Sequence, residues 1–133
     1  MDYLTNRLVR AIKKGGMIIA PRRAGKTQAI LEVLKQSDEY ILICFSCSFA
    51  RHLQDQFSMM TTRSNTDIRQ AIIGPRSIKR SNKKIIIDEF FWNPAFVGGT
   101  EYHCAISSNP RDLILYNKTG RRMKIAYNEV WKG

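Results

Sequence analysis

Residues 15–34, GGMIIAPRRAGKTQAILEVL, hold the feature that most limits what this chain can fold into: an apolar run, then Gly25-Lys26-Thr27, then apolar residues at helical spacing. A short apolar run bounded by glycine and proline reads as a buried strand, "MIIA". Ile30, Leu31, Val33 and Leu34 give one apolar face to a helix from Thr27 to about Gln36. A strand that passes through a GK[ST] turn into a helix is the context in which such a turn wraps phosphate. The amides from about Arg23 to Thr27 then stand at a helix N-terminus, where free N–H groups and the helix dipole favour an anion. In this reading Lys26 reaches the β- and γ-phosphates of ATP, and the Thr27 hydroxyl ligates Mg²⁺. The loop spans Ala20, Pro21, Arg22, Arg23, Ala24, Gly25, Lys26 and Thr27, with Ala20 where the pattern G-x-x-x-x-G-K-[ST] has its first glycine. That glycine eases the exit from the strand and is not a phosphate ligand, so alanine is tolerable there.

The flanking sequence repeats the alternation. Leu4, Leu8, Val9 and Ile12 predict a helix over 3–14 that stops at Gly15-Gly16. "YILICFS" predicts a second strand, "FARHLQDQFSMM" a helix with Phe49, Leu53 and Phe57 on one stripe, and "KKIIIDEF" and "YHCAIS" third and fourth strands. "DLILYN" and "RMKIAYNEV" around "KTGR" read as a C-terminal hairpin. Alternating strands and helices predict an α/β fold: a three-layer P-loop NTPase, its mainly parallel sheet flanked by helices and its ligands at the carboxyl ends of the strands. The 133 residues fit one domain, 1–133.

"IIIDEF" carries the second constellation, two carboxylates at the end of an apolar strand. Buried acids are costly unless a metal or a water network compensates them. Beside a phosphate loop, Asp88 suits direct or indirect support of Mg²⁺, and Glu89 suits poising a water against the γ-phosphate. The plain alternative is a pair of acids capping a strand in solvent. In "ISSNP", Ser107, Ser108 and Asn109 end the fourth strand, where their polar groups would meet the same water or phosphate. They are also ordinary turn formers. "FFWNP" offers either an aromatic platform for bases or core packing, and three aromatics beside a core strand favour the core.

Charge points to a partner class. Lys and Arg number 22 against 11 acids, a formal +11, and such an excess favours polyanions through counterion release. Residues 63–84 concentrate Arg63, Arg69, Arg76, Lys79, Arg80, Lys83 and Lys84 against Asp67 alone. A nucleic-acid face including Arg76, Lys79 and Arg80 is expected there, the alternative being a solvated basic surface. Cys44, Cys47 and Cys104 make an odd count suited to a reducing compartment. Cys44-x-x-Cys47 lacks the second close pair of a structural zinc site, and Cys44 reads as a small hydrophobe in a strand. No run reaches the 18 or so apolar residues of a membrane span, so a soluble, intracellular protein is expected.

"APRRAGKT", "IIIDEF" and "AISSNP", in that order, resemble the nucleotide-binding, hydrolysis and coupling motifs of the ATPase domain of viral terminase large subunits. These are the motors that package DNA into capsids, and the likeness extends more loosely to superfamily 2 helicases within the ASCE class of P-loop NTPases. It covers about residues 15–110. The family often has a small residue in place of the first loop glycine. The resemblance implies ATP and Mg²⁺ as cofactors, Arg22 or Arg23 contacting the γ-phosphate in cis, and Ser107, Ser108 and Asn109 sensing it. It also implies DNA as the favoured nucleic acid and a homo-oligomer or an assembly with other packaging proteins. The expected location is the host cytoplasm or nucleus, and transiently a capsid. The clustered acids of the terminase nuclease domain have no counterpart after residue 110. Two other classes stand beside this one: a nucleoside kinase of the thymidine-kinase kind, and a nucleic-acid-binding module with a regulatory nucleotide site. Against the kinase, the C-x-x-C precedes the Asp-Glu strand instead of forming a later zinc-bound lasso.

Overall fold

In a computed structural model, residues 3–21, 24–75, 82–90, 93, 101–111, 124–125 and 130–132 are described. The N-terminal periodicity becomes helix α1 (Tyr3–Lys14), which buries Leu8, Val9 and Ile12. It stops at Gly15, whose φ of +93° suits glycine, and a Cβ there would lie 2.6 Å from the His103 carbonyl oxygen. Strand β1 (Gly16–Ile19) leads through the loop into α2 (Lys26–Gln36), then β2 (Tyr40–Ile43) and α3 (Cys47–Ser58). The hydroxyl oxygen of Ser46 caps α3 by accepting from the Phe49 amide at 3.1 Å.

Two further elements have no counterpart among those expected from periodicity. Helix α4 (Asn65–Ala71) and strand β3 (Ile72–Ile73) occupy the part expected to be only a basic stretch. Ser64 starts α4 by accepting from the Asp67 amide at 3.2 Å, and Ile68 and Ala71 supply its short apolar face. Next come β4 (Lys84–Asp88), β5 (Glu101–Tyr102), β6 (Cys104–Ser107), β7 (Lys124–Ile125) and β8 (Val130–Lys132). The single strand expected over "YHCAIS" divides at His103.

The main sheet has the order β3-β2-β4-β6-β1-β8, with every neighbouring pair parallel. Five of these strands, β3 to β1 in that order, form with the four helices a Rossmann-like α/β fold, and β8 adds to the free edge of β1. The expected C-terminal hairpin is described only in part. Its first arm, 112–117, lies outside the described residues, and its second arm divides: β7 pairs parallel with β5, and β8 pairs parallel with β1. The physical reason is that β1 would otherwise expose an unpaired edge beside the phosphate loop.

A parallel sheet buries both faces, and alternate residues serve each. Ile18, Leu42, Ile86 and Ile106 point into a core with Leu8, Ile12, Ile30, Leu34 and Phe57, to which all four helices contribute. Met17, Ile19, Ile87 and Ala105 point the other way and pack with Phe90 and Tyr102. No described helix contributes to that second cluster. Each fully buried Ile or Phe stabilises the fold by about 1.5–3 kcal/mol relative to exposure, so the carboxyl ends of β1, β4 and β6 are held by a packed frame.

Candidate nucleotide-binding site

The loop after β1 is anchored at its start, where the Ala20 amide donates to the Ser107 carbonyl at 2.9 Å. At its end Gly25 takes a φ of +81° as the residue before α2. A Cβ at Gly25 would lie 2.8 Å from the Thr5 hydroxyl of α1, so both backbone shape and packing require glycine. Ala20 and Ala24 are buried, whereas Pro21, Gly25, Lys26 and Thr27 line a cleft of about 900 Å³ at the carboxyl edge of the sheet. Asp88, Glu89 and Ser108 line the same cleft.

Lys26 and the two acids meet although 62 and 63 positions separate them. The Lys26 Nζ lies 3.4 Å from Asp88 Oδ1 and 2.5 Å from Glu89 Oε1. Asp88 is 3% exposed, and burial pushes its carboxyl above the usual carboxylate range while the Lys26 ammonium pulls it back. Its Oδ1 also accepts from the Glu89 amide at 3.0 Å. Glu89 is half-buried with a φ of +49°, and among the described residues it is the one non-glycine with positive φ. Strained backbone of this kind gathers at functional sites, where the rest of the fold over-determines it.

The three residues of "SSN" divide. Ser107 is buried and its hydroxyl accepts from the Asn109 amide at 3.1 Å. Asn109 is exposed, its Oδ1 accepting from the Arg111 amide at 3.0 Å in a turn. Ser108 is the one of the three that lines the cleft. Arg22 and Arg23 lie outside the described residues, as do Arg76, Lys79 and Arg80 of the expected nucleic-acid face. Within the rest of that basic stretch, Arg63 serves the fold, since its Nη2 donates to the Leu34 carbonyl at 2.6 Å and its guanidinium lies over the Phe57 ring.

Sequence reasoning passed over Asn93. This buried side chain donates through Nδ2 to the Asp88 carbonyl at 2.9 Å and to the Ile43 carbonyl at 3.3 Å, tying together the carboxyl ends of β4 and β2. The only signal was Asn before Pro in "FFWNP", which marks a turn and nothing more. Phe90 of that segment packs in the second core cluster, while Phe91 and Trp92 lie outside the described residues.

The donor set fits Mg²⁺ better than a soft metal. A threonine hydroxyl and a buried carboxylate are hard oxygen donors, and Mg²⁺ is commonly held by one or two carboxylates together with substrate phosphates. The cysteines stand apart from this chemistry. Burial pushes the Cys44 thiol up to about 12, and Cys104 is raised by burial as well. Among the described residues no three His, Cys, Asp or Glu side chains converge as a metal-binding group, and no helix is long and apolar enough to cross a membrane. His103 is committed to the fold, its Nε2 lying 2.8 Å from the Ile12 carbonyl and its ring edge-on to Tyr40.

No protein-family description, curated protein or solved structure matches the chain.

Proposed function

We propose that the chain hydrolyses ATP in this cleft and uses the cycle to act on nucleic acid, as an ASCE-type P-loop ATPase of the terminase-like kind. The observation that carries this reading is Lys26 bridging Asp88 and Glu89 directly after a left-handed glycine at a helix N-terminus. The strand order supports it, because β6 stands between the loop strand β1 and the acid strand β4. With strands about 4.8 Å apart, that extra strand leaves about 10 Å between the loop and the acids, room for a terminal phosphate and a water.

In this mechanism the loop amides and Lys26 hold the β- and γ-phosphates, and Lys26 gives up its contact with the acids to do so. Glu89 orients a water and accepts its proton as the oxygen attacks the γ-phosphorus and the bond to the β,γ-bridging oxygen breaks, giving ADP and phosphate. Mg²⁺, when bound through Thr27 and Asp88, neutralises charge on the phosphates. In this reading Ser108, on the cleft wall, contacts the γ-phosphate, and Ser107 and Asn109 hold its turn. The formal +11 supports a nucleic-acid partner, and the terminase resemblance favours DNA and an oligomeric assembly.

ATPase assays with and without DNA or RNA test the reading. Lys26→Ala should lose turnover and most nucleotide affinity, and Glu89→Gln should bind ATP with Mg²⁺ yet turn over at least about a hundredfold more slowly. Normal turnover in Lys26→Ala would remove the phosphate-loop assignment, and normal turnover in Glu89→Gln would remove the catalytic glutamate. Transfer of phosphate to thymidine would instead support the kinase reading.

A further inference from the structure

Along the carboxyl edge of the sheet the order β1, β6, β4, β2 sets out the phosphate loop, Ser108, the acids, and then Phe45. On the ATP reading, on which this placement rests, the terminal phosphate lies between Lys26 and Glu89. The nucleoside of that ATP then lies on the loop side of the acids. Yet the cleft continues past Glu89 toward β2 and α3, where its wall consists of Leu31, Phe45, Phe49, Gln56, Met59 and Met60. That far end has room for a second occupant.

Its chemistry defines the occupant. Phe45 and Phe49 stack with ring centroids 5.0 Å apart and planes 26° apart, and Phe45 keeps 39% of its surface exposed. Met59 is 82% exposed at the same wall. An aromatic pair with an open face beside a flexible thioether suits a flat, uncharged ring. Gln56 brings one amide, a donor and an acceptor together, which meets the edge of any base without selecting one. A free nucleoside acceptor calls for a pocket that encloses most of its surface. The exposure of Phe45 and Met59 leaves this end open, as a passing strand requires. The formal +11 of the chain supplies the attraction for the phosphates of such a strand.

We propose that the far end of the cleft is a stacking subsite for a base of single-stranded nucleic acid, next to the terminal-phosphate position and distinct from the base of the hydrolysed nucleotide. The subsite gives the strand a direct route to the catalytic acids. Asn93 ties the end of β2, which leads into Phe45, to the end of β4, which leads into Glu89.

The test uses an oligo(dT) carrying one 2-aminopurine, bound without any nucleotide present, so that it stands apart from the phosphate-loop reading. Base stacking should quench the probe on the unaltered protein. Phe45→Ala should weaken binding about tenfold, the scale of one base–aromatic stack, and should remove the quench. Its log-log salt slope should stay the same, since no phosphate contact is lost. Phe45→Trp should keep both affinity and quench. The proposal is overturned if Phe45→Ala binds the oligonucleotide as tightly as the parent chain, or if its salt slope falls. It is also overturned if Phe45→Ala instead weakens ATP relative to tripolyphosphate, placing the nucleotide's own base there, or if thymidine is phosphorylated and that activity depends on Phe45. Failure of Lys26→Ala to affect ATP would refute the ATP reading while leaving the oligonucleotide result to be read by itself.

Discussion

Glu89 holds a left-handed backbone conformation at φ +49°, and that geometry carries a cost that two substitutions can isolate. Glu89→Gln and Glu89→Gly both remove the carboxylate that contacts Lys26 at 2.5 Å, so the lost ion pair is common to both. Both also leave Lys26 beside Asp88 at 3.4 Å. They differ in that glutamine keeps a Cβ and an amide oxygen that can still accept from Lys26, a contact from a neutral group that works against the expected difference. An L-residue in the left-handed region costs about 1–2 kcal/mol, which glycine does not incur. Glycine's freer unfolded chain offsets about 0.5–1 kcal/mol of that gain. The glycine variant should therefore be more stable than the glutamine variant by up to about 1.5 kcal/mol, and by about 0.5–1 kcal/mol when like ends of the two ranges are matched. With an unfolding entropy near 2.1 cal/mol/K per residue, that is about 2–4 °C in Tm for a chain of 133 residues. Urea or thermal unfolding without nucleotide is the assay, because bound ATP would add its own stabilisation. A glycine variant no more stable than the glutamine variant would refute the idea that strain is held at this position. On the ATP reading both variants should turn over at least about a hundredfold more slowly, which separates the cost of the geometry from its use.

Three further outcomes are expected. Burial holds the His103 pKa below the usual 6.5, so as pH falls below about 6.5 the unfolded chain takes up a proton that the native ring resists. Stability is thus full above about 6.5 and falls toward the lowered native value, and His103→Gln should flatten urea midpoints measured between pH 7.5 and 5; an equal slope in the variant would exclude His103 as its source. Asn93→Ala leaves the Asp88 and Ile43 carbonyls without that donor and should lower unfolding free energy by about 1–3 kcal/mol, with an unchanged urea midpoint as the contrary result. Arg22→Ala and Arg23→Ala, assayed separately with saturating nucleic acid, should include one variant that loses more than about tenfold in kcat with little change in KM. If neither does, the idea that an arginine of the loop contacts the γ-phosphate in cis is refuted.

The fold was legible where periodicity was long or bounded. Helices α1, α2 and α3 and strands β1, β2 and β4 fall within a few residues of the expected spans, because each has several apolar residues in phase and a glycine, serine or acid at its end. Helix α4 escaped notice because Ile68 and Ala71 are its only buried residues, among charges that read as surface. Strand β3 is two residues long, and no periodicity exists at that length. The divided fate of the last strands was also hidden. Pairing partners are set by which edge is free, and a local turn signal such as "KTGR" does not report a vacancy beside β1.

For the site, the residue types were legible and their meeting at the carboxyl edge of the sheet was expected, but the strand order that brings them together was not. A glycine-lysine-threonine turn and an acid pair each have a local signature, but nothing local says that β6 lies between their strands. That order decides what the acids would do. Were β4 directly beside β1, the acids would lie about 4.8 Å from the loop strand, closer to the cradled phosphates and further from the far side of a terminal phosphate. With β6 interposed, Lys26 bridges the wider gap to reach Glu89 at 2.5 Å, so the ammonium spans the space that a terminal phosphate would enter. On the ATP reading this makes the lysine a placeholder: the phosphate that displaces it from Glu89 also frees that carboxylate to hold water, so the base is unmasked by the arrival of its own substrate.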